Sequence, residues 1–347
     1  MITIQLNGTS TAVEEETTVA ALVADRGGTA VAPPGAPANF GVAVALNGQV
    51  VPRRAWPDTR LAAGDEVRLV RAVAGGAPEL EDSPGFDDPS PLVIAGRQFR
   101  SRLFVGTGRF PSPAVLRAAL AASGTEIVTV AIRTTGLDGS GPDAGILAAL
   151  DLTRYHLLPN TAGATTVRQA VFMAELAREA LGTNWVKLEV IGDERTLWPD
   201  VAGTVEATKV LVQEGFVVLP YTTTDLVTAL RLEDAGAATV MPLGSMIGSG
   251  QGVTDWEAIR RIVERVSVPV VVDAGIGTPS DAVHAMEAGV SACLINTAIS
   301  RADDPMRMAT AMRLAMLAGR HGYLAGRMPR HEYAIPSSPP VEAAGRD

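Results

Sequence analysis

Residues 184–193 read NWVKLEVIGD. The alternation predicts a β-strand with Trp185, Lys187 and Glu189 on one face and Val186, Leu188 and Val190 on the other. A lysine flanked by apolar residues in mid-strand is costly to bury. The chain has only two lysines, Lys187 and Lys209, among its 29 Lys and Arg, so a lysine-rich composition does not explain this one. Two readings fit it. Lys187 is either one end of a buried ion pair with Glu189 or Asp273, or an amine that sheds its proton on burial and attacks a carbonyl to form a Schiff base.

Outward from this strand the same apolar character recurs. LFVGTG near 103, IVTVAI near 127, HLLPNTAG near 156, FVVLPYTT near 216, ATVMPLGS near 238, PVVVDAGIG near 269 and ACLINTAI near 292 bring the total to eight strands. Amphipathic helical patterns such as TVRQAVFMAELAREALG, VEATKVLVQEG and WEAIRRIVERV lie between them. Eight parallel-type strands alternating with helices over 92–330 predict an α/β fold, a (βα)₈ TIM barrel, with a doubly wound open sheet as the alternative. Beyond Arg330 periodicity ceases, and 331–347 read as a loose tail.

Ahead of the barrel, residues 1–76 form a separate unit. MITIQLNG and TAVEEE alternate like a hairpin, TVAALVADRG has helical spacing, and VAVALNGQVV and DEVRLVRAVAGG alternate again, a ββαββ order. Gly27 to Gly41, rich in Gly, Pro and Ala, reads as an insertion. Residues 77–91, APELEDSPGFDDPSP, are acidic and proline-rich and read as a linker. Extended, 15 residues span up to about 50 Å, so the two units need not touch.

Composition narrows the function. A hydrophobic share of 47% supports a large core, and a formal net charge of −9 argues against nucleic acid or anionic membrane as partner. A single cysteine, Cys293, in an apolar run forms no internal disulfide and has no basic neighbour to activate it. The N-terminus shows neither a basic start nor an apolar targeting core, so a soluble cytoplasmic protein is expected. His156, His284, His321 and His331 lack metal-ligand spacing, and no metal is expected.

In a barrel the active site is built at the C-terminal ends of the strands. Three such ends are glycine-rich: 244–250 (GSMIGSG), Asp273-Ala274-Gly275-Ile276-Gly277-Thr278, and Asn296-Thr297-Ala298. Backbone amides freed by small residues, next to the helix that begins at Pro279 or Ser280, suit a phosphate. Glu189 and Asp273 are the carboxylates able to reach Lys187, either to move protons or merely to neutralise it. Arg133, after the second strand, suits either an anionic substrate or a rim salt bridge.

These segments carry two resemblances. The pattern of MITIQLNG, VALNGQVVPRRAW and LAAGDEVRLVRAVAGG resembles the ubiquitin-like sulfur-carrier protein of thiamine biosynthesis, a β-grasp fold that carries sulfur as a thiocarboxylate on its terminal glycine. PLVIAGRQFRSRLFVGTGRF, WVKLEVIGD, VMPLGSMIGSGQG, VVVDAGIGTPSDAVHAMEAG and LINTAIS resemble thiazole synthase of the same pathway, across 92–330. That resemblance implies an imine between Lys187 and 1-deoxy-D-xylulose 5-phosphate, acid/base roles for Glu189 and Asp273, and substrate binding by Gly248, Ala274, Gly275, Asn296 and Thr297. It also implies dehydroglycine and carrier thiocarboxylate as co-substrates and a homotetramer. No cofactor is implied in the barrel; ATP is used by a separate carrier-activating adenylyltransferase. Ala164 departs from relatives that often have cysteine there, and Gly76 departs further, since a peptide bond to Ala77 leaves it no free carboxylate. Gly76 becomes a sulfur carrier only if cleavage frees it; otherwise the domain only docks and a separate carrier supplies sulfur. A Schiff-base aldolase or isomerase, and a non-catalytic docking module on a scaffold, remain the alternatives.

Overall fold

The computed structural model describes residues 1–26, 42–71, 88, 90–131 and 153–335. The Gly27 to Gly41 insertion, Gly76, most of the linker, Arg133 and the tail from 336 lie outside the described residues.

The eight expected strands are present: β1 Leu103–Gly106, β2 Ile127–Ala131, β3 His156–Asn160, β4 Trp185–Leu188, β5 Val217–Thr222, β6 Met241–Pro242, β7 Val271–Asp273 and β8 Ala292–Leu294. Each pairs in parallel with its chain neighbour from β1 to β6, β7 pairs with β8, and β8 returns to β1. The bridges Val240↔Val270 and Leu243↔Asp273 join β6 to β7 and close the ring. An open doubly wound sheet reverses strand order at a switch point and leaves two edges; this order runs once around and leaves none.

The alternation of β4 holds. Trp185 shares the lumen cluster with Phe104, Ile127, Leu158, Leu219 and Val271. Val186, Leu188 and Val190 pack outward with Ala170 and Ala174 of helix Val167–Leu181 and with Ala207 and Leu211 of helix Val201–Gln213. Small alanines on the helix faces let the helices lie close on β-branched strand residues. Helix Val167–Leu181 starts on a Thr166 side-chain cap and stops at left-handed Gly182.

Two features were not read from the pattern. Strands Leu92–Ile94 and Arg97–Phe99 form a hairpin whose turn residues Ala95 and Gly96 have φ of 47° and 77°. Its Leu92, Ile94 and Phe99 join the lumen cluster, and Phe99 stacks edge-on to Trp185 at 5.9 Å, so the hairpin plugs the N-terminal mouth. Beside it, Asp88 pairs with Arg102 at 2.6 Å and with Arg320 at 3.0 Å, pinning the end of the linker to the base of the barrel.

The N-terminal unit has five strands rather than four. VAVALNGQVV folds as two, Val42–Leu46 and Gln49–Val51, around Asn47-Gly48, both with positive φ. The mixed sheet, with Ile2–Leu6 and Glu66–Arg71 parallel at its centre, covers helix Val19–Arg26 through Ile4, Val44, Val67 and Leu69. This is the ubiquitin-like β-grasp arrangement.

The two units touch, although the linker would let them part. Ala43, Ala45 and Val70, on the sheet face away from its own helix, are 0–1% exposed and join the apolar cluster that holds Leu176 and Ala180 of helix Val167–Leu181. Arg53 fastens the edge: its backbone N donates to Glu179 Oε2 (3.3 Å), its Nε to the Glu179 carbonyl (3.1 Å), and its Nη2 to the Val42 carbonyl (2.9 Å). A guanidinium against the last turn of a helix also meets the negative end of its dipole. Among the described residues no helix is long and apolar enough to cross a membrane.

Ala45→Asp would bury an unpaired carboxylate in this interface. It should undock the N-terminal unit while each core stays folded, lowering hydrogen-exchange protection of helix 167–181 by roughly tenfold or more. Unchanged protection would mean that the two units are not held together through this face.

Candidate active site

The lumen face of β4 carries Lys187 one step above Trp185, and both are buried. Nζ lies 2.8 Å from Glu189 Oε1, and from across the lumen Asp273, the last residue of β7, brings Oδ2 to 2.7 Å. The first contact is a directed hydrogen bond. The second is an ammonium–carboxylate contact at least as close. Glu189 and Asp273 are 5% and 2% exposed, which leaves Lys187 alone to balance two carboxylates away from water.

That balance favours the ion-pair reading of the resting site. Burial on its own pushes the Lys187 amine towards losing its proton, but the adjacent Asp273 and Glu189 charges outweigh it and hold the amine above the ordinary lysine value. The resting site therefore holds an ammonium. Burial pushes Asp273 above the usual carboxylate range, with Lys187 opposing and Glu189 reinforcing the shift. Of the two acids, Asp273 is thus the one whose charged form burial disfavours.

Tyr221 completes the wall and was missed in the sequence. It is fully buried, with its ring centroid 5.6 Å from Lys187 Nζ and its hydroxyl donating to the Leu197 carbonyl at 3.4 Å. Burial, then the Asp273 charge, pushes its phenol above the ordinary value. The signal was available: in β5 the lumen-facing Leu219 is followed two positions later by Tyr221.

The glycine-rich ends converge where the carboxylates stop. Directly after Asp273, Ala274 and Gly275 both turn left-handed, at φ 75° and 87°. A Cβ on Gly275 would lie 2.3 Å from Ser245 Oγ, so only glycine lets this turn press against the loop after β6. Main-chain bonds lace the two loops together, Gly252 N to Gly275 O at 2.8 Å and Gly244 N to Ala274 O at 3.2 Å. Gly248 faces Thr297, whose side chain would lie 3.8 Å from an added Cβ. Asn296 donates Nδ2 to the Gly108 carbonyl (3.0 Å), while its buried Oδ1 has no partner. Gly248, Ala274, Gly275, Asn296 and Thr297 are thus brought to one side of the mouth.

The helix expected to offer its N-terminus to a phosphate is already satisfied. Asp281 Oδ2 accepts from Gly277 N at 3.0 Å and Thr278 N at 2.9 Å, within a capping box on helix Pro279–Glu287. A carboxylate of the protein thus holds the amides of 277 and 278. Cys293 points out of the lumen into the helix layer, and burial pushes its thiol up. His156 lies on the lumen floor against Trp185, its pKa lowered to about 4 by burial and by the Arg97 charge. Among the described residues no group of three or more His, Cys, Asp or Glu could hold a metal ion.

Comparison with known proteins matches the chain in two parts. Residues 93–339 match the family described as thiazole biosynthesis protein ThiG, and residues 4–76 match the ThiS family. A thiazole synthase of Methylobacterium sp. is 56% identical over 263 residues, covering 76% of this chain and 97% of that protein. One of Myxococcus xanthus is 54% identical over 249 residues, covering 72% and 95%. Among solved structures, the Amycolatopsis orientalis BexX/CysO complex aligns with a TM-score of 0.65 and 38% identity, over 70% of this chain and 99% of that one.

Lys187, held above its ordinary value, contributes stability that is present below the ordinary lysine range and lost as pH rises through its raised value. Asp273, also raised, weighs against the fold as pH rises through its own titration and ceases to do so once protonated. Lys187→Met leaves the two carboxylates facing each other. It should cost about 3 kcal/mol at neutral pH and progressively less towards pH ~5, measured by urea unfolding. A loss that does not vary with pH would mean that the trio is not charge-coupled.

Proposed function

We propose, on the premise that this chain belongs to the thiazole synthase family and carries a ThiS-family domain at its head, that its Lys187 forms an imine with 1-deoxy-D-xylulose 5-phosphate. As a thiazole synthase it is a sulfur-transferring enzyme that builds the thiazole of thiamine. The observation that carries the imine reading is the buried ammonium held between two carboxylates, one of which runs straight into the left-handed glycine turn.

The phosphate sits on the backbone at Ala274 and Gly275, with Gly248, Asn296 and Thr297 closing the other side; the unpartnered Asn296 Oδ1 is free to accept from a substrate hydroxyl. Glu189, hydrogen-bonded to Nζ, takes the ammonium proton, and the freed amine attacks the C2 ketone. Asp273, the acid whose carboxyl burial pushes above the usual range, serves to protonate the departing carbinolamine hydroxyl, which leaves as water. The same two groups then move protons so that the carbonyl migrates to C3. Carrier thiocarboxylate supplies sulfur, and dehydroglycine supplies nitrogen and the remaining carbons, with loss of water on ring closure to a thiazole phosphate carboxylate.

The carrier domain serves this chemistry once a protease frees Gly76, and a separate adenylyltransferase using ATP charges the new terminus. The barrel itself uses no cofactor and works as a homotetramer.

Borohydride reduction in the presence of 1-deoxy-D-xylulose 5-phosphate should leave a mass adduct on Lys187. Lys187→Arg should abolish it and lower thiazole formation by roughly 10⁴-fold or more with the fold intact. An adduct on another residue, or undiminished turnover in the variant, would defeat the assignment. Carbon–carbon cleavage without carrier would favour an aldolase, and a chain that is active yet never cut in its host would remove Gly76 as the carrier terminus.

A further inference from the structure

The ladder between β3 and β4 ends at the catalytic level. Asn160 pairs with Lys187, and Thr161 N makes the next bond, to the Lys187 carbonyl at 3.1 Å. Glu189 lies one residue past the end of β4, where nothing in the ladder itself holds it. The Thr161 side chain takes over. Its hydroxyl donates to the Glu189 carbonyl at 2.8 Å and accepts from the Glu189 backbone N at 2.8 Å, in a position with no solvent exposure. Beyond it the Thr161 carbonyl accepts from Ala164 N, and the Ala164 carbonyl from Ile191 N, so the chain on either side of Glu189 is tied to the loop after β3.

We infer that Thr161 is the positioning residue for the acid/base carboxylate: one hydroxyl, bonded to both polar backbone groups of Glu189, sets where its side chain meets Lys187. The inference rests on the imine reading, in which Glu189 takes the ammonium proton. A hydroxyl both donates and accepts, so this one small side chain satisfies both main-chain groups of Glu189 at once. The methyl group of threonine restricts its rotation, so the hydroxyl is presented in one direction. With a carboxylate Oε1 2.8 Å from Nζ, a shift of about 1 Å in the Glu189 backbone takes it out of proton-transfer distance, a misplacement that can cost about 10²-fold.

Thr161→Val keeps the shape and removes both bonds. It should lower kcat for thiazole formation by roughly 10–100-fold while KM for the sugar phosphate changes by less than about threefold. With the Glu189 charge drawn back, the Lys187 ammonium is less stabilised, so the pH midpoint for borohydride trapping should move down. Thr161→Ser, which keeps the hydroxyl, should restore kcat to within about threefold. In a Glu189→Gln background, Thr161→Val should cost no more than about twofold further, because the group it positions is already disabled. Full kcat in the valine variant, no recovery with serine, or an undiminished further loss in the Glu189→Gln background would each overturn the inference. Failure of the unsubstituted protein to form a Lys187 adduct would instead count against the imine reading on which it stands.

Discussion

The structure depends on one ammonium placed between two carboxylates inside a closed ring of strands. Taking three charges out of water costs several kcal/mol per ion, and the cost is offset only where the partners stand at contact distance and stay there. At 2.7–2.8 Å from Nζ, Glu189 and Asp273 meet that condition from opposite walls of the lumen. Neither wall could do so alone. β4 supplies Lys187 and Glu189, β7 supplies Asp273, and only the closure of β6 onto β7 and of β8 onto β1 sets the distance between them.

Much of the remaining architecture keeps that lumen dry and in register. The plug of Leu92, Ile94 and Phe99 shuts the lower mouth against Trp185 and His156. Tyr221 covers one flank of the amine, and Thr161 takes over from the ladder where β4 ends. Among the described residues the upper mouth is polar and glycine-lined. The two acids differ: burial pushes Asp273 towards its protonated form, while Glu189 is hydrogen-bonded to the ammonium.

The N-terminal unit is attached to this barrel by packing as well as by sequence. Its sheet has two apolar faces, one against its own helix through Ile4, Val44 and Leu69, the other against the barrel through Ala43, Ala45 and Val70. A covalent linker raises the local concentration of one unit near the other, so even a modest apolar contact with the Arg53 fastening keeps them docked.

By itself the sequence determined the eight-strand order, the ββαββ character of the head, and the face of β4 that carries Lys187, because strand alternation and turn residues such as Asn47-Gly48 are local properties of the chain. It also marked the glycine segments that meet at the mouth. Only the tertiary structure decided the protonation of Lys187, since the field at Nζ comes from Asp273, 86 positions away in the chain. Likewise it alone showed that Asp281 occupies the amides at 277 and 278, that a hairpin seals the barrel, that Tyr221 lines the site and that the head docks on helix 167–181. Each of these is set by which side chains meet across elements. A periodic pattern records the direction in which a residue points, and closure of the ring decides what it finds there.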